Sequence, residues 1–277
     1  MDQRLPKWAT RMAVVCLTAL LANGGVPQAW AAPLDGVDAR ARQATAAAAE
    51  SGADIEVMVL DRNTGQVVSS GGNQPFPIAS VVKLFIADDL LLRESEGEAS
   101  LSAADRSSLD VMLRSSDDSA AQMFWDRGGQ NDIIGRIVAR YGLAGTTAPY
   151  NGHWDVTQST ASDLVRYYDK LLDGTGGLPP EQANIIIGNL ARSTPTGTDG
   201  YPQRFGIPEG LSAEQVAVKQ GWFCCWNRGN QLHVSTGVIG PDHRYVMAIS
   251  SLDPTDAATA RAHITEAVET IFPGGTI

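Results

Sequence analysis

A serine and a lysine three residues apart are the first candidates for chemistry in this sequence. Ser80 and Lys83 open an apolar stretch that follows Pro75-Phe76-Pro77-Ile78. On a helix, residues i and i+3 share a face, so the lysine amine can reach the serine oxygen. Burial lowers the pKa of a lysine, and a neutral amine can take the hydroxyl proton. The pair predicts a serine nucleophile for acyl transfer; a helix-terminal serine beside a surface lysine is the alternative.

A serine at a helix N-terminus also lies near backbone N–H groups that have no partner within the helix. Such donors stabilise the negative oxygen that forms when a serine attacks a carbonyl. The S-x-x-K pattern alone is weak evidence, because about one is expected by chance in a chain of this size. Its position after two prolines, at the start of an apolar helix, makes it more informative.

Two further patterns follow along the chain. Ser116-Asp117-Asp118 precedes a helical segment, and Lys219-Gln220-Gly221 lies on a predicted strand. The first pattern is typical of a helix N-cap as well as of a substrate-binding loop, because Ser and Asp both cap helices well. The second alternates with Val216 and Val218, as an exposed strand lysine would, although we favour a functional role for Lys219.

In this order the three patterns resemble those of class A β-lactamases and low-molecular-weight penicillin-binding proteins. Asn73–Leu84 is similar to the nucleophile segment, Ser116–Ala121 to the S-D-N loop and Lys219–Gly221 to the K-T-G strand. Thr194–Gly197 and Gly206–Gly210 are similar to the lead-in to that strand. The resemblance covers nearly the whole chain after residue 31.

The resemblance implies a role for each matching residue. Ser80 would be acylated by a β-lactam or by the D-Ala-D-Ala end of a peptidoglycan stem peptide, and Lys83 would activate it. Ser116 would pass a proton to the leaving nitrogen, and Lys219 would attract the substrate carboxylate. The backbone N–H groups of Ser80 and Trp222 would form the oxyanion hole.

Three of the expected substrate-binding positions depart from the family pattern, while Gly221 keeps it. Asp118 replaces an Asn, and an ionised carboxylate accepts hydrogen bonds but donates none. It would repel anionic substrates, or pair with Lys83 and keep the amine charged. Gln220 replaces a Thr or Ser whose hydroxyl helps to bind the substrate carboxylate. Trp222 places a bulky aromatic ring on the same strand, as packing or as a groove wall.

The segment Ala144–Trp154 contains no Glu or Asp, and Asp155 is the nearest carboxylate. Class A enzymes carry in this loop a Glu that activates the deacylating water. Slow deacylation is therefore expected, with a long-lived acyl-enzyme. The alternatives are a non-catalytic module that binds cell-wall peptides, and a scaffold domain that uses the aromatic strand Trp222–Trp226.

Periodicity predicts an α/β (α+β) fold with about five antiparallel strands, terminal helices on one face and a helical lobe. A single domain is expected over residues 32–277, with the sheet part at about 32–78 and 193–277 and the lobe at about 79–192. Helices are predicted at 37–49, 79–93, 103–114, 119–126, 132–141, 160–172, 180–190 and 257–271. Strands are predicted at 55–60, 66–70, 215–226, 231–238 and 244–252.

Residues 1–31 have the pattern of a cleavable signal peptide: a basic start, an apolar run and Ala29-Trp30-Ala31 before Ala32. The pattern predicts a secreted, periplasmic or cell-wall-associated protein. A monomer is expected. Cys16 lies inside the apolar run, too early for lipidation at the cleavage point, so no stable membrane anchor is expected. A net charge of −10 argues against nucleic acid and anionic membranes as partners.

Cys224 and Cys225 are adjacent in the sequence. Consecutive Cα atoms lie about 3.8 Å apart across a trans peptide, less than in most disulfides. A vicinal disulfide and two free thiols both remain open. The four histidines are isolated at positions 153, 233, 243 and 263, without the spacing of metal ligands, so neither a metal nor another cofactor is expected.

Overall fold

The structure is a computed structural model that describes Met1, residues 34–71 and residues 73–277. The predicted signal peptide, residues 1–31, lies outside the described residues apart from Met1. The elements below all belong to the compact unit Pro33–Ile277.

Seven strands and nine helices follow one another along the described part of the unit. The strands are β1 (Asp54–Asp61), β2 (Gln66–Ser69), β3 (Phe76–Pro77), β4 (Gln158–Ser159), β5 (Val216–Trp226), β6 (Asn230–Ile239) and β7 (Tyr245–Asp253). The helices are α1 (Val37–Glu50), α2 (Lys83–Ser95), α3 (Ala103–Arg114), α4 (Asp118–Gly128), α5 (Asn131–Tyr141), α6 (Ala161–Asp173), α7 (Pro180–Leu190), α8 (Ile207–Gly210) and α9 (Ala257–Ile271).

Five strands form one antiparallel sheet in the order β2-β1-β7-β6-β5. Strand β1 pairs along its whole length with β7, from Asp54 opposite Leu252 to Asp61 opposite Tyr245. The sheet is built by alternation, since every second residue of β1 is buried. The predicted five-stranded antiparallel sheet is confirmed, and β5 is its edge strand on the side of the candidate site.

The terminal helices α1 and α9 cover one face of the sheet, as predicted. Buried alanines on α1 allow the two helices to approach closely, and Ile55, Val57 and Val59 of β1 belong to the same apolar cluster. The Arg40 Nε donates to the carbonyl of Ile271 over 2.7 Å. The start of α1 therefore lies beside the end of α9.

The helices α2 to α7 form the predicted helical part, which packs around a second apolar cluster. Within it, the fully buried Asp88 forms an ion pair with Arg140 and accepts hydrogen bonds from the hydroxyls of Tyr141 and Tyr167. Burial raises the pKa of the Asp88 carboxyl, and Arg140 opposes that shift. A buried charge of this kind needs its partners, because desolvation otherwise costs several kcal/mol.

The structure also contains short elements that the sequence pattern did not reveal. Phe76 and Pro77 of β3 pair with Ser159 and Gln158 of β4. Two-residue strands are too short to show alternation, which explains why the sequence did not predict them. The helix expected from Ala79 begins as a 3-10 turn over Ala79–Val82 before α2. Within the described ranges, no helix combines the length and apolar character that crossing a membrane requires.

Candidate active site

A cleft of about 440 Å³ lies between the edge strand β5, the Ser80 turn and the loop that contains Trp154. Its walls combine the predicted nucleophile with aromatic and acidic side chains. They are formed by Ala79, Ser80, Asp118, Trp154, Asp155, Asp199, Tyr201, Trp222, Phe223, Cys224, Gln231 and Ala257.

Ser80 lies in the 3-10 turn that leads into α2, directly beside strand β5. The preceding residue Ala79 has φ 46°, a conformation that non-glycine residues rarely adopt. A Cβ atom at Gly221 would come within 2.6 Å of the Ile78 carbonyl oxygen. Glycine at position 221 therefore allows β5 to pass close enough to the turn to border the nucleophile.

The Lys83 amine is the centre of the polar contacts below the cleft. Its Nζ lies 2.8 Å from Ser80 Oγ, 2.7 Å from the Ser116 carbonyl oxygen, 3.1 Å from Ser116 Oγ and 2.6 Å from Asp118 Oδ1. An ammonium has three N–H donors, whereas a neutral amine has two donors and one lone pair. The neutral form can therefore donate to the carbonyl and the carboxylate while it accepts the hydroxyl proton of Ser80.

Two opposing effects act on the pKa of Lys83. Burial is the larger one and lowers the pKa, because the side chain is fully buried and its ammonium has lost contact with water. The Asp118 carboxylate raises the pKa, but its side chain is 70% exposed, so water screens its charge. The net shift is downward, which favours the neutral amine that a general base requires.

Ser116 lies between the two buried lysines. Its backbone has φ 57°, and its Oγ is 2.9 Å from Lys219 Nζ and 3.1 Å from Lys83 Nζ. A hydroxyl has two acceptor lone pairs and one proton. When Lys219 donates to this oxygen, the proton of Ser116 remains available for another partner. Burial and the neighbouring Lys83 hold the pKa of Lys219 well below its usual range.

The structure brings together Ser80, Lys83, Ser116 and Lys219, the four predicted catalytic side chains, and places Asp118 in contact with them. The interpretation of Lys219 as an exposed strand residue is wrong, since it is 1% exposed. The interpretation of Ser116-Asp117-Asp118 as a helix N-cap holds for Asp117, whose carboxylate accepts the Ala120 N–H over 2.7 Å. Asp117 therefore caps α4, while Ser116 contacts the two lysines and Asp118 lines the cleft.

The expectation that Gln220 contacts substrate is not matched by its position. Its side chain is buried, and its Nε2 donates to the backbone carbonyls of Phe205 over 2.6 Å and Gln203 over 3.1 Å. It is absent from the walls of the cleft. The two carbonyls hold the amide away from the cleft, so Gln220 fixes the segment before α8 against β5 instead.

Asp199 and Tyr201 line the cleft although the sequence did not single them out. Tyr201 stacks on Trp222 with ring centroids 5.0 Å apart and planes within 9°, and Trp222 Nε1 donates to Asp199 Oδ2 over 3.2 Å. Both residues lie in the Gly- and Pro-rich stretch before β5, which has no periodicity that predicts a side-chain direction. The predicted role of Trp222 as a groove wall matches its position.

His233 supports this aromatic wall from the neighbouring strand β6. Its Nε2 lies 2.7 Å from the Tyr201 hydroxyl, and its ring is fully buried. Burial, together with the nearby Arg261, lowers the pKa of His233 to about 4. The imidazole is therefore neutral at physiological pH and fixes the position of Tyr201 without adding charge.

Cys224 lies on the wall of the cleft and is joined to Cys225 by a disulfide. Of the two alternatives that the sequence left open, the structure contains the vicinal disulfide. In the part of the chain that the structure describes, no group of three or more His, Cys, Asp or Glu side chains is arranged to hold a metal ion.

Comparison with known protein sequences assigns this chain to a family. The model of the β-lactamase enzyme family matches residues 39–104 and 106–272. Proteins named "Putative lipoprotein LppW" from Mycobacterium bovis and Mycobacterium tuberculosis are 60% identical over 238 residues, which cover 86% of this chain and 76% of each relative.

Solved structures agree on the fold. A β-lactamase from Chitinophaga pinensis superposes with a TM-score of 0.69 at 15% identity, covering 84% of this chain and 98% of that one. The TLA-3 extended-spectrum β-lactamase superposes with a TM-score of 0.70 at 14% identity, covering 86% and 98%. Because the identity is this low, the matches show the fold alone, which is that of the class A β-lactamases.

Proposed function

Because the chain belongs to the β-lactamase enzyme family, we propose that it is a serine hydrolase that forms an acyl-enzyme at Ser80. The observation that carries the proposal is the buried Lys83 amine, 2.8 Å from Ser80 Oγ, with a lowered pKa. A neutral amine at hydrogen-bond distance is the general base that a weakly acidic hydroxyl needs.

The contacts support a sequence of proton transfers. Neutral Lys83 takes the proton of Ser80 as its Oγ attacks the carbonyl carbon of an amide. The backbone N–H groups of Ser80 and Trp222 stabilise the resulting oxyanion. As the carbon–nitrogen bond breaks, the hydroxyl of Ser116 gives its proton to the leaving nitrogen. The Lys83 ammonium then gives the proton that it took from Ser80 to Ser116 Oγ, 3.1 Å away, so that Lys83 and Ser116 regain their starting protonation states and the acyl group stays on Ser80.

The acyl donors that we propose are a β-lactam or a D-Ala-D-Ala-type peptide of the cell wall. Release of the acyl group is slow in this proposal, because Ala144–Trp154 supplies no carboxylate to activate water. Rapid hydrolysis of a chromogenic cephalosporin by the purified protein would contradict slow deacylation.

A second candidate is a binding module without turnover, and the contact between Lys83 and Asp118 favours it. Their 2.6 Å ion pair stabilises the ammonium, which cannot accept the proton of Ser80. The two candidates therefore differ in which influence on Lys83 dominates, burial or the carboxylate. Covalent acylation separates them directly.

The first experiment is intact-mass spectrometry of the protein after incubation with benzylpenicillin and, separately, with p-nitrophenyl acetate. We expect one added acyl group in the parent and in Ser95→Ala, which removes an exposed hydroxyl at the end of α2, the helix that follows the Ser80 turn. Ser80→Ala should show none. If neither reagent modifies the folded parent protein, the hydrolase proposal is refuted and the binding module is supported.

We propose further that the protein is exported, in agreement with the signal-peptide pattern of residues 1–31 and with the lipoprotein name of its relatives. The same name makes lipid attachment the alternative to a free product, and Cys16 is the one cysteine that precedes the hydrolase domain. The mass of protein from cell and membrane fractions tests this. A start at Ala32 supports free release, whereas a lipid-modified Cys16 start would overturn it.

A further inference from the structure

We propose that the Ser80 cleft prefers acyl donors that carry a cationic group, such as the free amine of a peptide, over anionic acyl donors. This inference rests on the proposed acylation of Ser80 and narrows the proposed acyl donors by charge. It favours a cell-wall peptide with a free amine over a β-lactam such as benzylpenicillin, whose net charge is negative. It opposes the expectation, drawn from the family resemblance, that a substrate carboxylate is bound beside Lys219.

The first observation is the charge of the cleft wall. Of its twelve described residues, three are carboxylates, Asp118, Asp155 and Asp199, and none is Lys, Arg or His. The carboxylates come from three separate segments, namely the start of α4, the turn after Trp154 and the loop before β5. An entering ligand is thus bordered by negative charge on several sides.

The second observation is that the buried lysines are poorly placed to attract an anion. Lys219 is 1% exposed, and its Nζ already donates to Ser116 Oγ and to the Gln220 carbonyl over 3.1 Å. Its pKa is held well below the usual range by burial, which reduces its positive charge. Lys83 is fully buried and contacts Asp118. Neither amine offers an open cationic surface to the cleft.

The third observation is the loss of the second carboxylate-binding position. The hydroxyl expected after Lys219 is replaced by Gln220, whose side chain faces the Phe205 and Gln203 carbonyls outside the cleft. The wall of the cleft along β5 is instead formed by Trp222 and by Asp199, whose Oδ2 accepts the indole N–H. A substrate carboxylate there would meet another carboxylate.

The fourth observation is the aromatic lining, which suits a cation. Trp154, Tyr201, Trp222 and Phe223 form much of the apolar wall. Cations are attracted to the faces of such rings. The guanidinium of Arg261 lies over the Tyr201 ring.

The test uses three p-nitrophenyl esters of matched length, with the acyl groups 6-aminohexanoyl, heptanoyl and adipoyl. Each transfers its acyl group to Ser80 Oγ and releases p-nitrophenolate, whose absorbance gives the acylation rate. At low ionic strength we expect kcat/KM for the cationic ester to exceed that for the anionic ester by about tenfold or more. The ratio should fall towards one in about 1 M salt, where exposed charges are screened.

Neutral variants identify the charges that are responsible. Asp155→Asn and Asp199→Asn should each lower the cationic-to-anionic ratio by about threefold, because each carboxylate attracts one ester and repels the other. The matched control is Asp242→Asn, which makes the same change in net charge. It lies in the turn between β6 and β7, at the far end of β6 from the cleft residue Gln231.

The outcomes separate this inference from the proposed function. A ratio of one or less in the parent, while the heptanoyl ester acylates Ser80, overturns the cationic preference and leaves the hydrolase proposal intact. Failure of all three esters to acylate Ser80 refutes the hydrolase proposal. In that case, NMR titration with the corresponding amides decides the charge preference, and stronger binding of the adipoyl amide than of the 6-aminohexanoyl amide overturns it.

Discussion

Replacing Asp118 by asparagine should make Ser80 more reactive, although the change alters a residue in contact with the proposed catalytic amine. In the parent, the carboxylate raises the pKa of Lys83 through its charge and through the 2.6 Å hydrogen bond. The Asp118→Asn substitution keeps the size of the side chain and removes the charge. The pKa of Lys83 should then fall further, because burial, which lowers it, is less opposed.

The size of the effect follows from the geometry. At the 2.6 Å between Lys83 Nζ and Asp118 Oδ1, two unit charges interact by about 1.6 kcal/mol in water and about 6 kcal/mol near a protein surface. Asp118 is 70% exposed, so screening favours the lower part of this range, about 1–2 kcal/mol. One pKa unit corresponds to about 1.4 kcal/mol. The pKa of Lys83 should therefore fall by about one unit.

The assay is the pH dependence of Ser80 acylation by p-nitrophenyl acetate, a small neutral ester. Below the pKa of Lys83, a decrease of one unit raises the fraction of neutral amine about tenfold, and the acylation rate should rise in proportion. The inflection of the pH–rate profile should move down by about one unit. Asp242→Asn is the control with the same change in net charge.

An acylation rate that decreases in Asp118→Asn, with the inflection unmoved and the fold intact by circular dichroism, would refute this reasoning. It would mean that the carboxylate orients Lys83 for catalysis and does not restrain its basicity.

Three further predictions concern the groups around the cleft and in the core. Gly221→Ala should place a Cβ against the Ile78 carbonyl. The free energy of unfolding in a denaturant titration should fall by about 1–3 kcal/mol, and acylation should be at least roughly tenfold slower. Unchanged stability and acylation would show that β5 adjusts freely. Arg140→Met should reduce the free energy of unfolding by about 3–5 kcal/mol, since Asp88 keeps a buried carboxyl without its counter-charge; a loss below about 1 kcal/mol would contradict this. His233 has a folded-state pKa of about 4 against 6.5 unfolded, so its contribution to the free energy of unfolding is complete above pH 6.5. That contribution, up to roughly 3 kcal/mol, is lost as the pH falls towards 4. His233→Gln should flatten this part of the plot of stability against pH, and an unchanged slope would disprove the assignment.

The sequence predicted the sheet and the long helices well, because their signals are local and repeated. The alternation of Ile55, Val57 and Val59 identifies β1, and the turn residues at 227–230 and 240–243 mark the boundaries between the three C-terminal strands. The Ser80 and Lys83 pair could be found because helical spacing alone determines their proximity. Their contact with Ser116 and Lys219 was expected from the family resemblance.

The walls of the cleft were harder to predict. Asp199 and Tyr201 reach the site from an irregular segment, whose path depends on tertiary contacts such as the Gln220 amide on the Phe205 carbonyl. The direction of the Gln220 side chain itself was not predictable from its motif, since two backbone carbonyls distant in sequence hold it. For Asp118, the sequence predicted either repulsion of anionic substrates or pairing with Lys83. The structure contains the contact with Lys83.

The pairing of β1 with β7 has a consequence for how the chain acquires its fold. Strand β1 begins at Asp54, yet no partner in β7 precedes Tyr245 in the sequence. The sheet therefore remains incomplete until the C-terminal strands are available, and contacts of such long range slow folding. Strands β5, β6 and β7 join through short turns and can pair earlier among themselves. Strand β1 can pair early with β2, its neighbour in the sequence. For the export proposed above, this order leaves the other side of β1 without its partner strand β7 until almost all of the chain has been synthesised.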